Sequence, residues 1–141
     1  MTDVRQELAW ADANPFVSLI IGTEHSTHAQ ALVLFREIAE GRLRLIVSSV
    51  AVLEIVHVLE SRYRRARAAI AEELAGVLQA DGLVVAEKDV LVAALGLFGH
   101  DDRLAFADAY LAASAMLVGP PNIASFDRDF DRIEGIRRIA S

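Results

Sequence analysis

The chain has 141 residues, 54% of them hydrophobic, which predicts one domain over residues 1–141 with a substantial core. Twenty acidic against 14 basic residues give a net charge of −6, which disfavours broad, sequence-independent adhesion to nucleic acid. Cysteine is absent, which excludes a disulfide framework and thiolate metal sites.

In chain order, the opening MTDVRQE lacks the basic-then-apolar pattern of a signal peptide. No run of about 18 apolar residues offers a membrane span, so a cytoplasmic location is expected. Leu8, Ala9, Trp10 and Ala11 predict a short strand ending at Asp12, with Trp10 in the core or at a dimer interface. Asn14 stands where the next helix begins, a favoured capping position, and that helix carries Phe16, Val17, Leu19, Ile20 and Ile21 up to Gly22. Pro15 fits only its first turn. Residues 27–40 repeat Ala31, Leu34, Phe35 and Ile38 at helical spacing, and Gly41 ends them.

Leu43, Leu45, Ile46 and Val47 predict a buried strand, after which Ser48 or Ser49 caps a helix over residues 49–65. Val50, Val52, Leu53, Ile55 and Val56 surround Glu54 in sequence, so this carboxylate is expected in an apolar setting. His57, one turn along, reads as a packed helix residue; His25, His28 and His100 read as surface or turn residues. Arg62, Arg64, Arg65 and Arg67 then crowd together, and thirteen of the 14 basic residues are arginine. Such a local patch suits phosphate contact or an acidic partner segment. Residues 66–80 predict a helix with Ile70, Leu74, Val77 and Leu78 inward, Leu83–Val85 a strand, and residues 86–98 another helix.

Residues 104–131, LAFADAYLAASAMLVGPPNIASFDRDFD, concentrate the chemistry. Asp108 is alone among small apolar residues, which predicts a buried helix starting near it. An unpaired buried carboxylate is expensive, so Asp108 must be paired, capping or bound to a cation. Gly119, Pro120 and Pro121 stop the helix, residues 122–125 form a short strand, and Asp127 follows where that strand ends. A helical turn, RDFDRI, and a last strand over residues 136–139 complete the chain.

Strands alternating with helices predict an α/β domain, three layers deep (α/β/α), around a mostly parallel sheet of four to five strands. Ligands of such sheets gather beyond the carboxyl ends of the strands. Asp12 and Asp127 end strands, while Glu54 and Asp108 lie early in helices, so all four are expected to converge at one sheet edge. Four adjacent carboxylates repel one another, and oxygen-only donors favour Mg²⁺ or Mn²⁺ acting on a phosphate. Asn14 and Ser125 are expected to hydrogen-bond these groups or the attacking water, and Asp129 to share the role of Asp127.

Asp12-Ala13-Asn14, Glu54 in SSVAVLEIVHVL, Asp108 in LAFADAYLAASA and Asp127 in SFDRDF together resemble PIN-domain ribonucleases. Within that family they are similar to the VapC-type toxins of prokaryotic toxin–antitoxin pairs. The resemblance implies a Mg²⁺-dependent endoribonuclease that cuts RNA and is neutralised by an antitoxin peptide laid across the active site. It also implies a homodimer. The first strand is shorter and more polar than the family's opening, and Ser125 stands where threonine is common. Two alternatives stay open: a PIN-fold binding module without chemistry, and a Mg²⁺ phosphatase with an aspartyl nucleophile. Asn14 counts against the second, because that class resembles D-x-D after its first strand.

Overall fold

The computed structural model describes residues 6–140. The first strand, β1 (Glu7–Trp10), leads into α1 (Ala13–Ile21) and α2 (His28–Ala39). Next come β2 (Leu43–Val47), α3 (Ser49–Ser61), α4 (Arg67–Leu78), β3 (Leu83–Val85), α5 (Lys88–His100) and α6 (Phe106–Leu117). After α6 follow β4 (Asn122–Ala124), a 3₁₀ turn (Arg128–Arg132) and β5 (Arg137–Ile139). The strands pair in parallel throughout, β1-β2-β3 as one ladder and β4-β5 as another. This is the α/β class that the alternation predicts.

Local chemistry sets the element boundaries. Ser48 caps α3, its hydroxyl accepting the Ala51 N–H at 3.1 Å. Asp12, rather than Asn14, caps α1: Oδ1 accepts the Ala13 N–H at 2.9 Å, and Asn14 lies inside the first turn. Gly82 turns the chain into β3 with φ +90°, and a Cβ there would stand 2.6 Å from Ile38 Cγ2. Glycine is required at that position on both counts.

The core joins Phe16, Ile55 and Leu59 to Ile70, Leu74, Leu78, Leu91, Leu95 and Phe98, all fully buried. The helices α4, α5 and α6 pack chiefly on one another. Arg67 ties that group together from the first position of α4. Its guanidinium lies 3.8 Å from the Phe98 ring centroid and donates to Glu60 (2.7 Å) and to the carbonyls of Phe98 (3.2 Å), Asp101 (3.1 Å) and Leu104.

One face of the β1–β3 ladder is buried through Leu45, Val47 and Leu83. On the opposite face the register aligns Trp10, Ile46 and Val84, with Leu8 beside Arg44. That face keeps solvent: Trp10 is 73% and Leu8 59% exposed. Trp10 is therefore not a core residue, because β1 is the edge of its ladder and the described residues leave that side exposed.

Candidate active site

Asp108 occupies the third position of α6, where the positive end of the helix dipole favours an acid. It does not cap the helix; Ala105 holds the cap position without a side-chain hydrogen bond. Asp108 is half-buried, not enclosed as the sequence suggested. Burial, then the neighbouring Asp127 and Asp129 carboxylates, push its carboxyl above the usual carboxylate range. Asp127 and Asp129 thus share its electrostatic field.

The loop after β4 is braced to present these acids. The Asp127 N–H donates to Ser125 Oγ at 3.0 Å, and Asp127 Oδ1 accepts the Asp129 N–H at 2.9 Å, opening the 3₁₀ turn. Arg138 donates to the Ser125 carbonyl at 3.1 Å and grips Asp131 at 2.9 and 3.3 Å. That ion pair holds the Asp131 carboxyl below its ordinary value and removes it from the set of free acids. Arg132 bridges Asp101 at 2.6 Å and reaches Asp129 at 3.5 Å, so Asp129 is partly neutralised, while among the described residues no arginine lies within salt-bridge distance of Asp127.

Glu54 corrects the sequence reading. It is exposed, since helical geometry puts residues 50, 54, 57 and 61 on one stripe while Ala51, Val52, Ile55, Val56 and Leu59 face the core. The apolar residues adjacent to Glu54 in sequence point elsewhere. His57, on the same stripe, is likewise exposed. Glu54 lines a groove of about 390 Å³ together with Ala105, Phe106 and Ala107, the entry to the helix that carries Asp108. Asp12 is exposed at the β1–α1 junction, where capping holds it. The charges that raise Asp108 come from Asp127 and Asp129, not from Asp12 or Glu54. Among the described residues no three acids or histidines are grouped to hold a metal ion.

The arginine cluster divides. Arg65 pairs with Glu73 through two hydrogen bonds at 2.7 and 3.0 Å, and Arg67 is spent on the α4–α5–α6 tie. Both guanidiniums are engaged within the chain, which leaves Arg62 and Arg64 as the first candidates for an outside partner. Arg62 and Arg64 are exposed, Arg62 lying 5.9 Å from the Tyr63 ring centroid.

Glu87 is a contact that sequence reading passed over. It sits just past β3 with φ 57° and accepts hydrogen bonds from Ser49 (2.8 Å) and Tyr110 (2.7 and 2.8 Å). It therefore links the first turn of α3 to α6, the two helices that carry Glu54 and Asp108. Its place at a strand tip, like those of Asp12 and Asp127, was the available signal.

The family model described as "PIN domain" matches residues 10–136. No curated protein matches the chain. Among solved structures the chain is similar to Mycobacterium tuberculosis VapC20, described as a sarcin-ricin loop cleaving toxin. The identity is 23%, over 93% of this chain and 99% of that one, with a TM-score of 0.39. No helix among the described residues is long and apolar enough to cross a membrane.

Proposed function

Because the chain belongs to the PIN-domain family, we propose that it is a divalent-metal-dependent endoribonuclease, the toxin of a toxin–antitoxin pair. The observation that carries this reading is the PIN-domain match over residues 10–136, within which Asp108 stands half-buried in the field of Asp127 and Asp129. Such a cluster is uncomfortable without a cation, and its donors are all oxygens, which suits Mg²⁺ or Mn²⁺.

Mg²⁺ is held by one or two carboxylates plus waters and substrate phosphate, so two acids such as Asp108 and Asp127 suffice as its protein donors. Asp108 and Asp127 are the first candidates to hold it; Glu54 and Asp12 are assigned to its outer waters, and Asp129 supports Asp127. When bound, the ion supplies an activated water and neutralises charge on the scissile phosphate. Ser125 fixes the Asp127 backbone, and Asn14 stands beside Asp12 to orient substrate or water. Arg62 and Arg64 contact RNA phosphates or the antitoxin. A homodimer, an antitoxin peptide across the acidic site and a cytoplasmic setting complete the proposal.

A PIN-fold binding module without chemistry is the second reading, favoured by the short and largely exposed first strand that leads to Asp12. RNA cleavage separates the two. The purified chain is expected to cut RNA with Mg²⁺ or Mn²⁺, and Asp108→Asn to lower kcat about a hundredfold or more, several kcal/mol of lost transition-state stabilisation. Equal rates for both proteins, or no cleavage by either, would leave the binding module standing.

A further inference from the structure

Between α1 and α2 lies a cavity of about 270 Å³, one helical turn from the Asp12 cap. Asn14, Ser18, Thr27 and Gln30 line it with amides and hydroxyls, and Pro15 and Leu34 give it apolar walls. No acidic residue lines it, although the chain carries a net charge of −6. The groove beside Glu54 is different, since Glu54 and Glu60 both line it and would repel a nucleic acid strand. The lining of the α1–α2 cavity holds no carboxylate that would repel a strand entering it.

The polar wall is built rather than incidental. Ser18 is a buried polar side chain, 1% exposed, with Oγ 2.5 Å from Thr27 Oγ1 and 3.2 Å from His25 Nδ1. The Thr27 N–H donates to His25 Nδ1 at 3.2 Å, which puts the proton of the neutral ring on Nε2 and fixes the loop. The His25 ring in turn lies 6.1 Å from that of Tyr63, whose neighbours Arg62 and Arg64 are the exposed cations. The loop that walls the pocket is thus linked, through His25 and Tyr63, to the segment that carries Arg62 and Arg64.

We propose that this cavity is a nucleobase subsite, which takes one base of the RNA substrate next to the cut while Arg62 and Arg64 hold an adjoining phosphate. The inference rests on the nuclease reading and gives that site its specificity. The volume is below the roughly 300–1,000 Å³ of pockets for drug-sized ligands and suits a single ring system. Extruded bases are gripped between apolar walls and read by hydrogen bonds along one edge. An amide presents a donor beside an acceptor, the pattern that pairs with adenine N6 and N7. Gln30 is exposed and outside the catalytic acids, so changing it tests the pocket without touching the chemistry.

The test uses the Asp108→Asn chain and a set of short 2′-O-methyl RNAs that differ at one base, with affinity read by fluorescence anisotropy. With Gln30 intact the protein is expected to prefer one base roughly tenfold or more over the others, as expected for a bidentate contact. Gln30→Leu and the similarly sized, uncharged Gln30→Met should flatten that preference to about twofold while the salt dependence stays the same. Binding without base preference, or a preference that survives both Gln30 substitutions, overturns the subsite and leaves the nuclease reading intact. Unchanged RNA binding by Gln30→Leu, with an apolar peptide competing, would give the cavity to a protein partner instead and overturn it too. RNA of every sequence failing to bind would overturn the nuclease reading and the subsite together.

Discussion

Asp108 carries a penalty that pH and metal should both reveal. Burial, Asp127 and Asp129 raise its carboxyl in the folded chain, and none of these acts fully in the unfolded one. Below the ordinary value of 3.8 both states hold the proton and the penalty vanishes; as pH rises through the higher folded value, folded stability is lost. Metal-free Asp108→Asn should therefore melt higher than wild type at pH 7, with the gap closing as pH falls below 3.8 in a calorimetric series. Added Mg²⁺ should raise the wild-type Tm and leave the variant's unmoved. A variant less stable at every pH would show that Asp108 is structural. Ser125 gives a second residue-level test, because its hydroxyl accepts the Asp127 N–H. Ser125→Ala should cost roughly tenfold to a hundredfold in kcat and Ser125→Thr little, as for groups that orient a ligand; equal loss in both would remove the hydroxyl from the account. The nearness of Asp108 to Asp127 was legible from two motifs. The exposure of Glu54 was not, since adjacent apolar letters on a helix point away from one another.

At the level of elements, the arginine cluster separates into a brace and a surface. Arg67→Ala should destabilise the chain by about 2–4 kcal/mol in urea unfolding, since it strips partners from Glu60 and several carbonyls. Arg67→Lys should recover little, because an ammonium does not reproduce the planar fork above Phe98. The double change Arg62→Ala with Arg64→Ala should leave stability alone and lower the salt slope of RNA binding by about two. An unchanged slope would take both off the RNA surface. Sequence placed all four arginines in one patch because spacing along the chain was the only guide. Where α3 ends at Ser61 and α4 begins at Arg67, the turn sends Arg67 inward and leaves Arg62 and Arg64 outside.

The whole molecule shows which patterns travel well from sequence to fold. Alternating strands and helices gave the parallel α/β topology, since each apolar strand needs a return path over the sheet. The sequence left Trp10 between core and dimer interface, and the open face bearing Leu8, Trp10 and Val84 is decided by packing, since α4–α6 rest chiefly on one another. The acids followed the same rule. Chain order led to the expectation that all four meet at one edge; among the described residues no three are grouped, and the charges acting on Asp108 are those of Asp127 and Asp129. Electron paramagnetic resonance of Mn²⁺ titrated into the purified chain tests the central claim most directly. Saturable binding that Asp108→Asn and Asp127→Asn each weaken at least about tenfold is the predicted result. Binding that both variants leave unchanged, or none at all, would contradict it.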